Sequence, residues 1–246
     1  MAVWLASRGW RAAGRSIVAL LMLASTSARA DETWNLLLFG SLDAGASTFF
    51  SRGAKLGFDR LDRDGFVVLA SVGAGHRAER ATCACAPAGT VSRARRTMMG
   101  AALLGHQWFH DWGVVALYAG PEGSVEMLTD RFGSVLLPPR YGLRLHGEIW
   151  ARPTDDTLVQ GTAILGTARM DAWTRLAWGY RLWGAYLGPE ASLYADWLGY
   201  RKWALGLHAT DFDLGRFSLR VSAGFQTETG LRDPYPYLAV SAWTPF

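Results

Sequence analysis

The sequence is poor in the features that define many protein classes. Beyond residue 30 no apolar run approaches the roughly 20 residues that a membrane-spanning helix requires, which excludes a helical membrane protein. Cysteine is almost absent, with two in 246 residues, so a disulfide scaffold is excluded. These two, Cys83 and Cys85, stand as C-A-C. A bridge across a single residue is strained, and no further ligands stand nearby to complete a metal site. In an oxidising compartment a local bridge or a labile pair without catalytic consequence is expected. Proline is sparse at nine, and no Gly/Ser-rich linker interrupts the chain, so nothing marks an internal domain boundary.

Charge of one sign is also lacking once the N-terminus is set aside. Arg8, Arg11 and Arg15 precede the short apolar stretch Ile17 to Ala24, and Ala28-Arg29-Ala30 forms a small-residue cleavage site. This is the pattern of a secretory signal peptide over 1–30. Removing it takes away four of the 25 basic residues and none of the 21 acidic ones, leaving 21 against 21. A neutral mature chain offers no electrostatic footprint for nucleic acid, and that partner class is dropped.

What is abundant is glycine, at 28, and aromatics, at 13% with 12 tryptophans. Each glycine inside a helix costs about 1 kcal/mol relative to alanine, whereas curved strands tolerate it. Periodicity decides between the two. In 215–228, Phe217, Leu219, Val221, Ala223 and Phe225 alternate with Ser218, Arg220, Ser222, Gln226 and Glu228. The same period of two runs through 141–152, 171–183 and 200–209. Segments of about 10 residues with arginine on one face and apolar residues on the other are the signature of a transmembrane β-barrel. A soluble sandwich shares the alternation with shorter strands and is the competing fold.

Twelve strands are expected, at 33–43, 48–58, 64–76, 95–109, 112–122, 140–152, 156–168, 171–182, 184–195, 200–210, 214–227 and 235–246, with ten as the fallback because such barrels have even numbers. The mature chain, 31–246, then forms one closed antiparallel barrel. Short connections fall on one side and the long ones, 77–94, 123–139 and 228–234, on the other. These assign the termini to the periplasmic end. Aromatics near strand ends, among them Trp108, Trp112, Trp173, Trp183, Trp203, Tyr237 and Trp243, are expected to form interface girdles. The final run, 235–246, places Leu238, Val240, Ala242 and Phe246 on one face, so Phe246 is expected to face lipid and act as the membrane-assembly signal.

Two segments echo one another: Tyr118-Ala119-Gly120-Pro121-Glu122 and Tyr186-Leu187-Gly188-Pro189-Glu190. Gly-Pro marks a kink or bulge, with the two glutamates following at matching heights. They either meet a ligand in the barrel mouth or pair with luminal arginines. With the G-x-L-D-A-G opening at 40–45, the G-x-K-L-G-F-D segment at 53–59 and Arg63-Asp64-Gly65-Phe66-Val67, these motifs make the chain resemble the cellulose biosynthesis protein BcsS family over essentially its whole mature length. His76-Arg77-Ala78 departs from the pattern and leaves the end of the third strand open. The resemblance implies a secreted protein working with a bacterial cellulose synthase system. It carries no catalytic residues.

Residue chemistry points the same way. A lipid-acting barrel enzyme needs a histidine and a serine within reach at the lipid-facing edge. Only His146 with Glu148 and His208 with Thr210 offer a same-face neighbour, and neither brings a serine. The luminal face, with Arg144, His146, Glu148, Arg175, Arg181, Glu190, Lys202 and Arg220, is of mixed sign and fits a charged pore or a salt-bridged core. Glucan contact is expected from sugar-stacking aromatics and hydrogen-bonding groups at the outer mouth: Glu122, Glu190, Tyr194, Asp196 and Trp197. No cofactor or metal is expected. The expected role is a non-enzymatic outer-membrane accessory to cellulose biosynthesis or secretion, in contact with outer-membrane lipid, the glucan chain and components of the cellulose synthase complex. The alternatives are a lipid-acting barrel enzyme and a soluble periplasmic β-protein that binds the synthase.

Overall fold

Alternating side chains become strands throughout the computed structural model, which describes residues 35–82, 90–231 and 233–246. The expectations for residues 1–30 and for Cys83 and Cys85 lie outside the described residues. The strands are β1 (Leu36–Ala44), β2 (Thr48–Gly57), β3 (Gly65–Thr82), β4 (Thr90–His110), β5 (Gly113–Asp130), β6 (Gly133–Leu136), β7 (Arg140–Thr154), β8 (Thr157–Gly166), β9 (Asp171–Leu182), β10 (Ala185–Asp196), β11 (Arg201–Leu214), β12 (Phe217–Glu228) and β13 (Tyr235–Pro245). Twelve of them close into an antiparallel ring, each paired to its neighbours, with β13 returning to β1. The short β6 pairs only with β5 and lies outside the ring.

Closure removes both sheet edges, as a lipid environment demands of backbone groups that have no water to bond. The seam runs from Leu37 opposite Pro245 to Ala44 opposite Leu238. Beyond it Phe246 N–H donates to Leu36 O at 2.7 Å, and Leu36 N–H to Phe246 O at 3.2 Å. Phe246 thus keeps the outward parity of Leu238 and Val240, and the Arg216 guanidinium lies 4.4 Å from its ring centre.

Apolar residues cover the outside: Leu176, Trp178, Tyr180 and Leu182 on β9, Trp203, Leu205 and Leu207 on β11, Leu143 and Leu145 on β7 are all exposed. A water-soluble domain rarely exposes apolar patches beyond a few hundred Å², and here they encircle the molecule. The inside carries buried polar groups such as Gln160, Glu190, His208, Arg220 and Gln226. This is the inverted arrangement of a membrane barrel.

The start of β1 and the end of β13 lie at one rim, here the terminal rim, whose turns are short. At Trp183-Gly184 both residues have positive φ (51° and 82°), the requirement of a two-residue turn matched to strand twist. At the opposite, hairpin rim, the wall is taller than the sequence reading placed it. β3 and β4 stay paired out to Thr82 and Thr90, β5 continues to Asp130, and β6 folds back on it. The segment 123–139 is therefore a wall extension rather than a structureless loop, and β3 passes straight through His76-Arg77-Ala78.

The girdle expectation holds in part. Trp108, Trp112 and Trp183 at the terminal rim, and Trp197, Trp203 and Tyr235 at the hairpin rim, are exposed. Trp173, Tyr200 and Trp243 line the lumen instead, and Tyr237 is buried with its hydroxyl bonded to Glu190. Position near a strand end sets the height of a side chain, but its face follows the alternation. In β13, Tyr237 and Trp243 fall opposite the lipid-facing series.

The echoed Gly-Pro segments have a common geometry. Pairing of β5 with β4 lapses between Glu122 and Ala119, and pairing of β10 with β9 lapses between Glu190 and Leu187, in both cases without a register change. A Cβ on Gly120 would collide with the Ala102 carbonyl, and one on Gly188 with the Trp178 carbonyl. These are close approaches of neighbouring backbones where only glycine fits.

Candidate functional site

The luminal side chains do not leave a plain bore. In a ring of twelve strands, β3 and β10 stand on opposite walls, yet Arg77 of β3 donates to Asp196 Oδ2 of β10 at 3.3 Å. Arg169, from the β8–β9 turn, reaches the same place: its guanidinium lies 3.1 Å from Glu126 Oε1 of β5 and 3.8 Å from Asp196 Oδ2. Arg95 joins Glu79 and Glu126 at 2.7 and 2.8 Å. Arg77, Arg95, Arg169, Glu126 and Asp196 are almost fully buried, and with the half-buried Glu79 they form an ionic lid across the hairpin rim. Below it Arg144 donates to Glu122 at 2.8 Å, whose second oxygen takes the Ala168 backbone N–H at 2.9 Å.

At the terminal rim the obstruction is apolar. Trp150 of β7 and Trp243 of β13 also come from opposite walls, and their rings meet edge to face with centroids 5.7 Å apart. Beside them the β2–β3 turn tucks under the barrel: Gln107 Nε2 donates to the carbonyls of Leu61 and Arg63 at 3.0 and 2.8 Å. Leu61 thereby packs against the cluster of Val67, Leu69, Leu103, Ala116 and Tyr118. In this turn Asp62 accepts from Arg60, which holds its carboxyl below the usual carboxylate range.

Between lid and floor lies a cavity of about 620 Å³. One side is held by Lys55, which pairs with Glu148 and lies 5.5 Å from the Tyr118 ring centre; His146 Nε2 stands 3.0 Å from the same carboxylate. Another is held by Arg220, which donates to Gln160 and Glu190, while Ser222 and Tyr237 donate to Glu190 at 3.0 and 2.8 Å. Arg175 lies over the Trp173 ring at 5.6 Å, and Lys202 reaches Ser47 at 3.3 Å. Asp43 and Tyr194 complete the lining, Tyr194 donating to Asp171 at 3.0 Å.

Of the residues singled out by sequence, Arg144, His146, Glu148, Arg175, Tyr194, Lys202 and Arg220 line this cavity. Glu122 and Glu190 are both committed to arginines. Arg181 lies at the terminal rim beside Tyr186, and Trp197 is exposed outside the hairpin rim with Arg140 5.9 Å from its ring centre. The lid residues Arg77, Glu79, Arg95, Glu126 and Arg169 escaped the reading. Four of them carry a legible signal, since Arg77-x-Glu79 and Glu122-x-Ser124-x-Glu126 continue the period of two beyond the assigned strand ends and Arg95-x-Thr97 opens the assigned fourth strand. Arg169 sits in a turn and has none.

His208 is held as a structural group. His208 Nε2 faces the Trp178 carbonyl at 3.0 Å and Nδ1 the Thr210 hydroxyl at 2.7 Å. Neutral imidazole has one donor, so Nε2–H donates to the carbonyl and Nδ1 accepts from Thr210.

Residues 37–246 match the family model described as cellulose biosynthesis protein BcsS. No curated protein sequence matches the chain. Among solved structures, the translocator domain of the autotransporter NalP from Neisseria meningitidis is similar at 13% identity, over 96% of this chain and 97% of that one, with a TM-score of 0.47. KdgM porin is similar at 12% identity, over 85% of this chain and 99% of that one, with a TM-score of 0.43. The transport unit of the autotransporter AIDA-I from Escherichia coli shows 9% identity, 95% and 96% coverage and a TM-score of 0.44. Likeness at this level says nothing about substrate or transport.

Proposed function

The chain belongs to the cellulose biosynthesis protein BcsS family, and from that premise we propose that it is a non-enzymatic outer-membrane accessory of cellulose production that anchors or organises the glucan rather than conducting it. The N-terminal segment acts as its export signal, and the hairpin rim faces outward with the long connections expected there.

The observation that carries this reading is the pair of cross-lumen contacts. Arg77 with Asp196, and Trp150 with Trp243, each join opposite walls, and a pyranose chain has no room where facing side chains touch. Glucan contact then belongs to the outer rim, where Trp197 offers an exposed indole face with Arg140 beside it. Aromatic faces stack on sugar rings while guanidinium donors take hydroxyl oxygens. Components of the synthase complex are the expected protein partners.

Deleting the gene lowers extracellular cellulose while synthase activity in isolated membranes stays unchanged, and Trp197→Ala reproduces part of the loss with the barrel still migrating heat-modifiably in the outer-membrane fraction. Unchanged secretion in the deletion strain removes the role. A protein that fractionates with soluble periplasm removes the barrel placement with it.

A further inference from the structure

The outer wall formed by β2, β3, β4 and β5 differs from the rest of the lipid-facing surface. Strand register lays its outward side chains on a grid. One row runs Thr48, His76, Arg96, Met127 and Leu136; the next runs Phe50, Ala74, Met98 and Val125; the third runs Arg52, Val72, Gly100, Gly123 and Tyr141. Ala74, Gly100 and Gly123 leave a depression between the flanking larger side chains. A groove of about 390 Å³ opens on this wall, lined by Phe50, Ala74, Met98, Val125, Met127 and Leu136, with His76 and Arg96 at its upper end.

The charges here are unbalanced. Arg52, His76 and Arg96 are exposed, and the side chain of none of them has a hydrogen-bond or ion-pair partner among the described residues. The outward positions of β2 to β5 carry no aspartate or glutamate. On β3 and β5, Glu79 and Glu126 take the inward positions and are held by Arg77, Arg95 and Arg169. Arg52 stands at the middle of β2, opposite Gly40 of β1 and Val72 of β3, a depth at which an unpaired cation in contact with lipid is unfavourable. Its long stem allows it to reach upward to the headgroup level.

We propose that this wall is a specific binding site for a phosphorylated lipid of the outer leaflet, lipid A. An acyl chain lies in the groove over Ala74, Gly100 and Gly123. A phosphate sits between Arg96 and His76, with Arg52 reaching it from below. The site is separate from the lumen and from the outer-rim contact with glucan, so its failure leaves the accessory role standing. Charge complementarity selects the occupant: cations without a counterion at the end of an apolar groove fit an anionic headgroup on a hydrocarbon tail.

Native mass spectrometry of the full barrel in detergent, titrated with bis-phosphorylated lipid A, tests this. One lipid per barrel is expected, weakened at least tenfold in the double variant Arg52→Gln/Arg96→Gln. The same loss is expected in Gly100→Leu, which fills the depression without touching a charge; a Cβ there meets only ordinary contacts, at 3.7 Å. Arg201→Gln, on another part of the hairpin rim, serves as the control and binds as the unaltered protein. Equal binding of phosphatidylglycerol or of dephosphorylated lipid A overturns the proposal. So does unchanged affinity in the double variant, or an acidic membrane protein found cross-linked at position 52 in place of lipid.

Discussion

At Arg220 one guanidinium, almost fully buried, meets the carboxylate of Glu190 and the amide oxygen of Gln160, while Ser222 and Tyr237 fill the remaining acceptor sites of the carboxylate. A buried pair of this kind contributes little against an apolar replacement, but removing one partner leaves an uncompensated charge. Arg220→Met is expected to destabilise the barrel by about 3–5 kcal/mol. Arg220→Met/Glu190→Gln is expected to recover most of that loss, because the stranded charge is gone. Urea unfolding in lipid vesicles, followed by tryptophan fluorescence, measures both. A double variant as unstable as the single one contradicts this account of the pair. Alternation in 214–227 already put Arg220 inside. Which acid it meets was not legible, because Glu190 lies two strands away around the ring.

Strands β5 and β10 show what a local motif can and cannot reveal. The repeated Gly-Pro-Glu reads as a bend, and the structure shows instead a lapse of pairing at constant register, with each glycine under a neighbouring carbonyl. Gly188→Val drives a side chain into the Trp178 carbonyl and should lower the folded fraction sharply on a heat-modifiability gel. Gly40→Ala, whose Cβ meets only Ser51 O at 3.5 Å, should fold normally. Equal folding of the two variants sinks the close-approach explanation. Strand ends were the weaker part of the reading. β3, β4 and β5 outrun the assigned strand ends; their extensions keep the period of two, but charge takes the inner face, and in β3 and β4 Ala78, Ser92 and Ala94 stand where large apolar residues would mark the outer one.

For the molecule as a whole, two obstructions of different chemistry lie in series along one lumen. Resistances in series add, so opening one leaves the other in control. Arg77→Ala/Arg169→Ala alone, or Trp150→Ala/Trp243→Ala alone, should raise single-channel conductance little over the unaltered barrel. The four changes combined should raise it well beyond the sum. A large conductance in the unaltered protein, or full opening by either pair alone, excludes a doubly obstructed lumen.

The sequence by itself determined the class of structure. Period-two alternation over segments of about 10 residues, with the terminal run able to pair back to the first strand, leaves a closed membrane barrel of even strand number as the arrangement that satisfies every backbone group. It also determined which face most luminal residues take, since a one-residue shift would turn every charge toward lipid. Only the tertiary structure decided what meets across the lumen. Arg77 and Asp196 are 119 residues apart in the chain, and Trp150 and Trp243 lie on facing walls. Such contacts depend on the stagger and tilt with which the ring closes, which no local pattern encodes. That closure turned a row of alternating charges into a lid, a floor and the chamber between them.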